Sequence, residues 1–433
     1  MKTFLLVAGQ SKRFWPLSEK PLFPICGKTL LQHIVRRLER AGCIDIVFIG
    51  SKHNLEDVRS LYPTAAIVEQ EDLQLGMRGA MLSALPTIGD EEILIVSAND
   101  VIESSAYAEV VRMGRGAGAD GAILAKKVDR YFPGGYLSTA GGRVTGIVEK
   151  PGAGNEPSDL VTIVCHHHRS SAALLRALQD VDPSTDDGYE QALATLFETL
   201  HYQSVPYEGA WQAVKYPWHL LELLPLLLKE IATQSIDPSA SIHPTAVIEG
   251  PVMIEENVRI LPHATIVGPC HLGRGTIVGN NALVRGSSIG EHCVVGYNSE
   301  VKSSILHSHV WTHSTYIGDS VIGQNVSFGA GCVTGNLRLD EGEIQSHVGE
   351  ERIGTGLRKF GTIIGNNCRL GIHTAINPGI KIGSGTFVGS GALVEQDLPS
   401  GSFARMKKGE LVVGSNSAVL PAPNHRDDYR KKL

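Results

Sequence analysis

The sequence has 433 residues and a formal net charge of −6, with 42% hydrophobic and 19% charged residues. These values exclude bulk disorder. The absence of any apolar run of about 18 residues excludes a membrane-spanning helix, so no membrane partner is expected. Without a global basic field no nucleic-acid partner is expected either, and an anionic ligand has to be held by a local cluster.

The chain opens on Phe4-Leu5-Leu6-Val7 followed by Gly9, with no basic n-region and no long apolar h-region, which predicts a cytoplasmic protein. The seven cysteines are scattered, odd in number and free of any CxxC spacing. They read as reduced, buried small hydrophobes rather than as disulfides or zinc ligands.

Up to about residue 225, short apolar runs (5–8, 46–49, 93–96 and 122–124) alternate with helical spacing (30–38, 79–85 and 106–113). This alternation predicts an α/β, Rossmann-like domain whose parallel sheet is covered on both faces. In such sheets ligands bind beyond the carboxyl ends of the strands. The leucine-rich stretch beginning at His219 predicts a helical connector in which Pro225 starts or kinks a helix.

At Ile236 the period becomes six. Aliphatic residues stand at 236, 242, 248, 254, 260, 266, 272, 278 and 284. The step resumes at Ile289, Val295 and Val301, and again from Ile364 to Val394. Neither a helix nor a plain strand has this period. It predicts a left-handed parallel β-helix built of hexapeptide repeats, with the periodic aliphatic stacked inward. The polar stretch 338–361 interrupts the repeat and reads as a projecting loop. The expected division is an α/β domain over 1–218, a connector over 219–235, the β-helix over 236–400 with its loop, and a polar tail over 401–433.

The first strand ends in Ala8-Gly9-Gln10-Ser11-Lys12-Arg13-Phe14-Trp15-Pro16-Leu17, and Lys20-Pro21-Leu22 follows. A glycine turn after a first strand lets backbone N–H groups approach phosphates, while Arg13 offers a fork and Lys20 a point charge. The run Glu19-Lys20-Pro21-Leu22-Phe23-Pro24-Ile25-Cys26-Gly27-Lys28 completes a pattern that resembles the sugar-1-phosphate nucleotidylyltransferases. Their opening motif reads A-A-G-x-G-T-R-(M/L)-x-P-L-T, then P-K-P-L-x-P-(V/I)-x-G-K-P. Further matches are Gln70 ahead of Gly76, Asp100 after Ser97-Ala98-Asn99, Val148-Glu149-Lys150-Pro151, and Tyr216-Pro217-Trp218-His219-Leu220-Leu221. With the hexapeptide domain attached, the chain resembles the bifunctional N-acetylglucosamine-1-phosphate uridylyltransferase/glucosamine-1-phosphate acetyltransferase type.

The resemblance implies that a nucleotidyl group passes from UTP or dTTP to a sugar-1-phosphate, glucose-1-phosphate or N-acetylglucosamine-1-phosphate, with release of pyrophosphate. It implies that Ala8, Gly9 and Arg13 hold the nucleoside triphosphate, that Gln70 and Gly76 read the base, and that Asp100 holds Mg²⁺. Gly135 and Glu149 would shape the sugar pocket, while Lys20 and Lys150 would hold the sugar phosphate. Ser11, Lys12 and Met77 replace the second loop Gly, the loop Thr and the Thr after Gly76, and Ala213 replaces the second metal carboxylate of a W-x-D pattern. Those losses leave a catalytically weakened regulatory or scaffold homologue as the rival expectation.

In the C-terminal half, His313-Ser314-Thr315-Tyr316-Ile317-Gly318-Asp319-Ser320, followed by Gly329-Ala330-Gly331 and Asn336, resembles the family's acetyltransferase site. The resemblance makes His313 the general base toward acetyl-CoA chemistry on an amino sugar, with Tyr316 and Asn336 orienting the substrate. The two lysines that the family places after that Asn are Gly342 and Gln345 here. A homotrimer is expected from the β-helix. The run His166-His167-His168 is not expected to bind metal, because neighbours on a strand point to opposite faces.

Overall fold

The computed structural model describes residues 1–182, 187–426 and 430–431. By contact the chain divides into two units: Met1–Gln10 with Leu30–Ala213, and Ser11–Thr29 with Val214–Leu433.

The first unit is built on a nine-stranded sheet. At one side Ala66–Glu69, Ile46–Gly50, Lys2–Leu6 and Ile93–Ser97 lie parallel in that order. The apolar runs of the last three are buried on both faces, with Phe4, Ile49, Ile93 and Ile95 at the centre of the core, whereas Ala66–Glu69 at the sheet edge is exposed to half-buried. The sheet is not parallel throughout, as the alternation predicts, but mixed. Leu160–His168 runs antiparallel to both Ile93–Ser97 and Gly121–Lys127. Between Gly121 and His168 the chain forms strands and turns but no helix. A parallel return needs a crossover, whereas an antiparallel one needs only a turn. The strands Gly135–Ala140 and Arg143–Glu149 form such a hairpin at the far edge.

The second unit is the β-helix. Ile236 pairs with Ile254 and Ile254 with Leu272, one coil further on each time. The three sides form three parallel stacks of short strands. The aliphatics predicted to point inward do so: Ile266, Leu272, Val278, Val284, Ile289, Val295, Val301, Ile364 and Val394 are fully buried in one continuous core. Ile236, on the first coil, is 40% exposed because no coil precedes it. The predicted loop 338–361 projects between coils. Ile322 pairs directly with Ile364, and within the loop Gln345–Val348 and Glu351–Gly354 form an antiparallel hairpin.

The predicted connector is the helix His219–Leu228, with Pro225 inside it. Ser402–Lys407 adds to the last coil, and Glu410–Ser415 folds back on it antiparallel. The turn at Lys408-Gly409, with both residues at positive φ, makes that hairpin possible. All seven cysteines are free and buried, as their scatter suggests.

Candidate active site

In the first unit, two neighbouring parallel strands deliver the predicted residues at their carboxyl ends. Lys2–Leu6 runs out through Val7 and Ala8 to Gly9, and Ile93–Ser97 runs out to Asp100, with Ala98 N donating to the Leu6 carbonyl at 3.1 Å. The turn is braced from the segment that follows Ile46–Gly50: Asn54 Nδ2 donates to the Val7 carbonyl at 2.8 Å, and Ser51 Oγ to that of Ala8 at 3.4 Å. These two braces have no marked motif in the sequence. A Cβ built on Gly9 meets no atom within 4 Å, so its backbone borders open space.

Asp100 pairs with Ala213 across a two-stranded ladder, and its Oδ1 accepts from Trp211 Nε1 at 2.9 Å. The position opposite Asp100, where the resemblance calls for a second acid, therefore carries a methyl group. Among the described residues no group of three or more His, Cys, Asp or Glu side chains is placed to hold a metal ion.

Gln70 is buried, and its amide nitrogen holds the following turn through the carbonyls of Asp72 at 2.9 Å and Gly76 at 2.8 Å. Gly76 opens a helix at φ +52, a conformation that a glycine adopts without strain. Gly135 and Glu149 face each other on the edge hairpin. A Cβ on Gly135 would lie 3.3 Å from Glu149 Oε2 and 3.0 Å from Thr162 Cγ2, so glycine leaves room beside the carboxylate. Lys150 Nζ reaches Glu149 Oε1 at 3.0 Å.

Glu190, which no motif marks, stands on the helix Gly188–Thr199 in the field of the same pair. Burial, with the Glu149 charge added to it, pushes the Glu190 carboxyl up to about 8. Helical spacing alone cannot separate such a residue from a solvated one.

The three histidines are buried in the core. His166 bonds Tyr189 Oη and Thr162 Oγ1, both at 2.9 Å, and His168 bonds Tyr202 Oη at 2.7 Å. His167 bonds Glu92 at 2.6 Å. Burial holds the His166 imidazole down to about 3 and those of its two neighbours below the usual range.

In the second unit, Arg13 lies with its guanidinium 5.8 Å from the centre of the Tyr216 ring. Lys20 begins a single helical turn, and its N–H donates to Ser11 Oγ at 3.2 Å. Ser11 takes φ +50, so a serine adopts here the left-handed backbone that glycine would adopt more easily.

On the β-helix, Tyr316 and Asn336 come together, with Asn336 Nδ2 donating to Tyr316 Oη at 3.1 Å and to Asp319 Oδ2 at 2.5 Å. Lys302 joins them through Asp319 at 2.9 Å. Sequence reasoning missed Lys302, although it pairs with Gly318 in the coil register. The His313 ring is exposed and makes no hydrogen bond with Tyr316 or Asn336. Gly342 and Gln345 leave the lysine positions empty of charge, and Arg338 is spent on Asp340 through two bonds of 2.6 and 2.7 Å.

Residues 2–217 match the Nucleotidyl transferase family, 231–353 the GMPPB C-terminal domain, and 361–396 the bacterial transferase hexapeptide repeats. The bifunctional protein GlmU of Methanococcus maripaludis is 31% identical over 422 residues, covering 95% of this chain and 99% of the relative. The bifunctional sugar-1-phosphate nucleotidylyltransferase/acetyltransferase of Sulfurisphaera tokodaii is 29% identical over 413 residues, covering 94% and 100%. Among solved structures, a UDP-glucose pyrophosphorylase complexed with UDP-glucose aligns with a TM-score of 0.47 at 19% identity, over 53% of this chain and 98% of that one. Among the described residues no helix is long and apolar enough to cross a membrane. With nucleotidyl transferase and hexapeptide regions in this order, and relatives matched over almost their whole length, the chain belongs to the bifunctional GlmU family of sugar-1-phosphate nucleotidylyltransferase/acetyltransferases.

Proposed function

We propose that the chain transfers a nucleotidyl group from UTP or dTTP to glucose-1-phosphate or N-acetylglucosamine-1-phosphate. A phosphate oxygen of the sugar-1-phosphate attacks the α-phosphorus. The new P–O bond forms as the bond to the bridging oxygen breaks, and pyrophosphate leaves with that electron pair. Such a reaction asks the protein for alignment and charge neutralisation rather than for covalent chemistry.

The observation that carries this reading is the open Gly9 turn and Asp100 at the carboxyl ends of adjacent parallel strands, the usual ligand side of such sheets. In it, Ala8, Gly9 and Arg13 hold the triphosphate, and Gln70 and Gly76 shape the base site. Lys20 and Lys150 hold the sugar phosphate, and Gly135 and Glu149 take sugar hydroxyls. Asp100 presents a hard carboxylate oxygen of the kind that suits Mg²⁺, an ion that commonly keeps waters and substrate phosphates as its other ligands. When bound, Mg²⁺ would neutralise phosphate charge. The test is pyrophosphate release with each triphosphate against a panel of sugar-1-phosphates.

Ala213 opposite Asp100 favours the rival reading of a weakened, regulatory or scaffolding homologue. Binding of triphosphate without pyrophosphate release would select it. We further propose a slower acetyl transfer from acetyl-CoA to an amino sugar, with His313 as general base and Tyr316 and Asn336 as orienting groups, and a homotrimer as the working assembly.

A further inference from the structure

The segment that carries Arg13 and Lys20 is fastened lengthwise along one stack of the β-helix. Near its end, a Cβ on Gly27 would lie 2.8 Å from Glu255 Oε1 and 2.9 Å from His271 Nε2, so glycine permits the close approach. One coil further, Cys26 N donates to Ser288 Oγ at 2.8 Å. Phe23 then stands edge-on to His307, with centroids 5.8 Å apart. Toward the start of the segment, Ser384 Oγ donates to the Pro16 carbonyl and Trp15 Nε1 to Ser400 Oγ, both at 3.4 Å.

Trp15 also meets Lys381, whose side chain is only 4% exposed. Its ammonium lies 4.8 Å from the centre of the Trp15 ring, 3.5 Å from Asp397 Oδ2, and donates to the His347 carbonyl. Burial lowers its pKa and raises that of Asp397, so desolvation opposes the charge on both groups. If packing alone were needed, an apolar residue would fill the place at less cost. The ammonium instead pins an indole face, two residues from Arg13. A cavity of about 570 Å³, lined by Lys12, Arg13, Trp15, His347, Lys381 and Asp397 among others, keeps the neighbouring chain from being held by packing alone. Lys12 and Arg13 have no acid partner among the described residues.

We propose that Lys381, on the hexapeptide coil, is a positioning residue for nucleotidyl transfer: by clamping Trp15 it fixes the segment that presents Arg13 to the triphosphate. This rests on the function proposed above. The β-helix thereby takes part in the first reaction and not only in acyl transfer or assembly.

The test compares wild type, Lys381→Met and Lys381→Arg in the full chain. Each is measured by pyrophosphate release with either substrate varied, and by the rate of trypsin cleavage after Lys12 and Arg13. Lys381→Met is expected to raise KM for the triphosphate about tenfold, change KM for the sugar phosphate less than twofold, and speed the trypsin cut. Lys381→Arg, which keeps the cation over the indole, is expected to recover most of the loss. A folded Lys381→Met protein with wild-type KM and an unchanged cut overturns the proposal. So does an equal loss toward both substrates that arginine does not rescue. If wild type releases no pyrophosphate, the functional reading fails, and the clamp then stands or falls on the trypsin cut alone.

Discussion

Asp100 is the carboxylate on which the proposed Mg²⁺ role rests. Its partner across the ladder is Ala213, and its Oδ1 is engaged by Trp211. Asp100→Asn keeps the shape and removes the charge, so pyrophosphate release is expected to fall by about a hundredfold or more. Unchanged Mg²⁺-dependent release in the variant would remove Asp100 from the metal role. The buried histidines make a second prediction, on stability. His166 is held down to about 3 in the folded chain, against an unperturbed value of about 6.5. Between those values the unfolded chain binds the proton and the folded one does not. Stability is therefore full above about pH 6.5 and is lost as pH falls toward 3, at a limit of about 1.4 kcal/mol per pH unit. Glu190, pushed up to about 8, works with the opposite sign from about pH 4.5 upward, so the effect of His166 has to be read as a difference. In urea unfolding at pH 7 and pH 5, His166→Gln is expected to lose less stability on acidification than wild type. Equal losses would contradict the assignment. The residues of the candidate site that carry a motif stand out in the sequence because phosphate chemistry restricts residue types at fixed spacing. Ser51, Asn54, Glu190 and Lys302 do not, because each matters only through a neighbour distant in sequence.

At the scale of elements, the hexads were legible almost position by position, since one inward aliphatic per coil side leaves a period that no other element has. Ile289 is fully buried in the coil core, whereas Ile236 on the first coil is 40% exposed. Ile289→Ala should cost about 2–5 kcal/mol by leaving a cavity between coils, and Ile236→Ala well under half of that. Thermal melting of both variants checks the ratio, and equal losses would contradict the stacking argument. The strand directions of the first unit were less legible. Apolar runs look alike whether a strand returns by a helix or a turn, and Leu160–His168 returns antiparallel. Least legible was the placement of 11–29. The motif reads as part of a nucleotide loop, and nothing in its spacing signals that Cys26, Phe23 and Trp15 rest on Ser288, His307 and Lys381. Such contacts, across more than two hundred residues, are a property of the folded chain alone.

For the whole molecule, one stack of the β-helix is lined by 11–29, while another leaves Val247, Val333 and Leu393 each more than 40% exposed. Packing such sides around a threefold axis would bury them. Light scattering at micromolar concentration is expected to give three times the chain mass, and a monomer mass would refute the trimer. Nucleotidyl transfer itself is read by pyrophosphate release from the purified full chain. UTP and dTTP are each offered with glucose-1-phosphate and N-acetylglucosamine-1-phosphate, with and without Mg²⁺. Mg²⁺-dependent release is expected with at least one pair, reduced about a hundredfold or more by Asp100→Asn. No release with any pair, from protein that still binds triphosphate, would contradict nucleotidyl transfer and leave the weakened, regulatory homologue in its place.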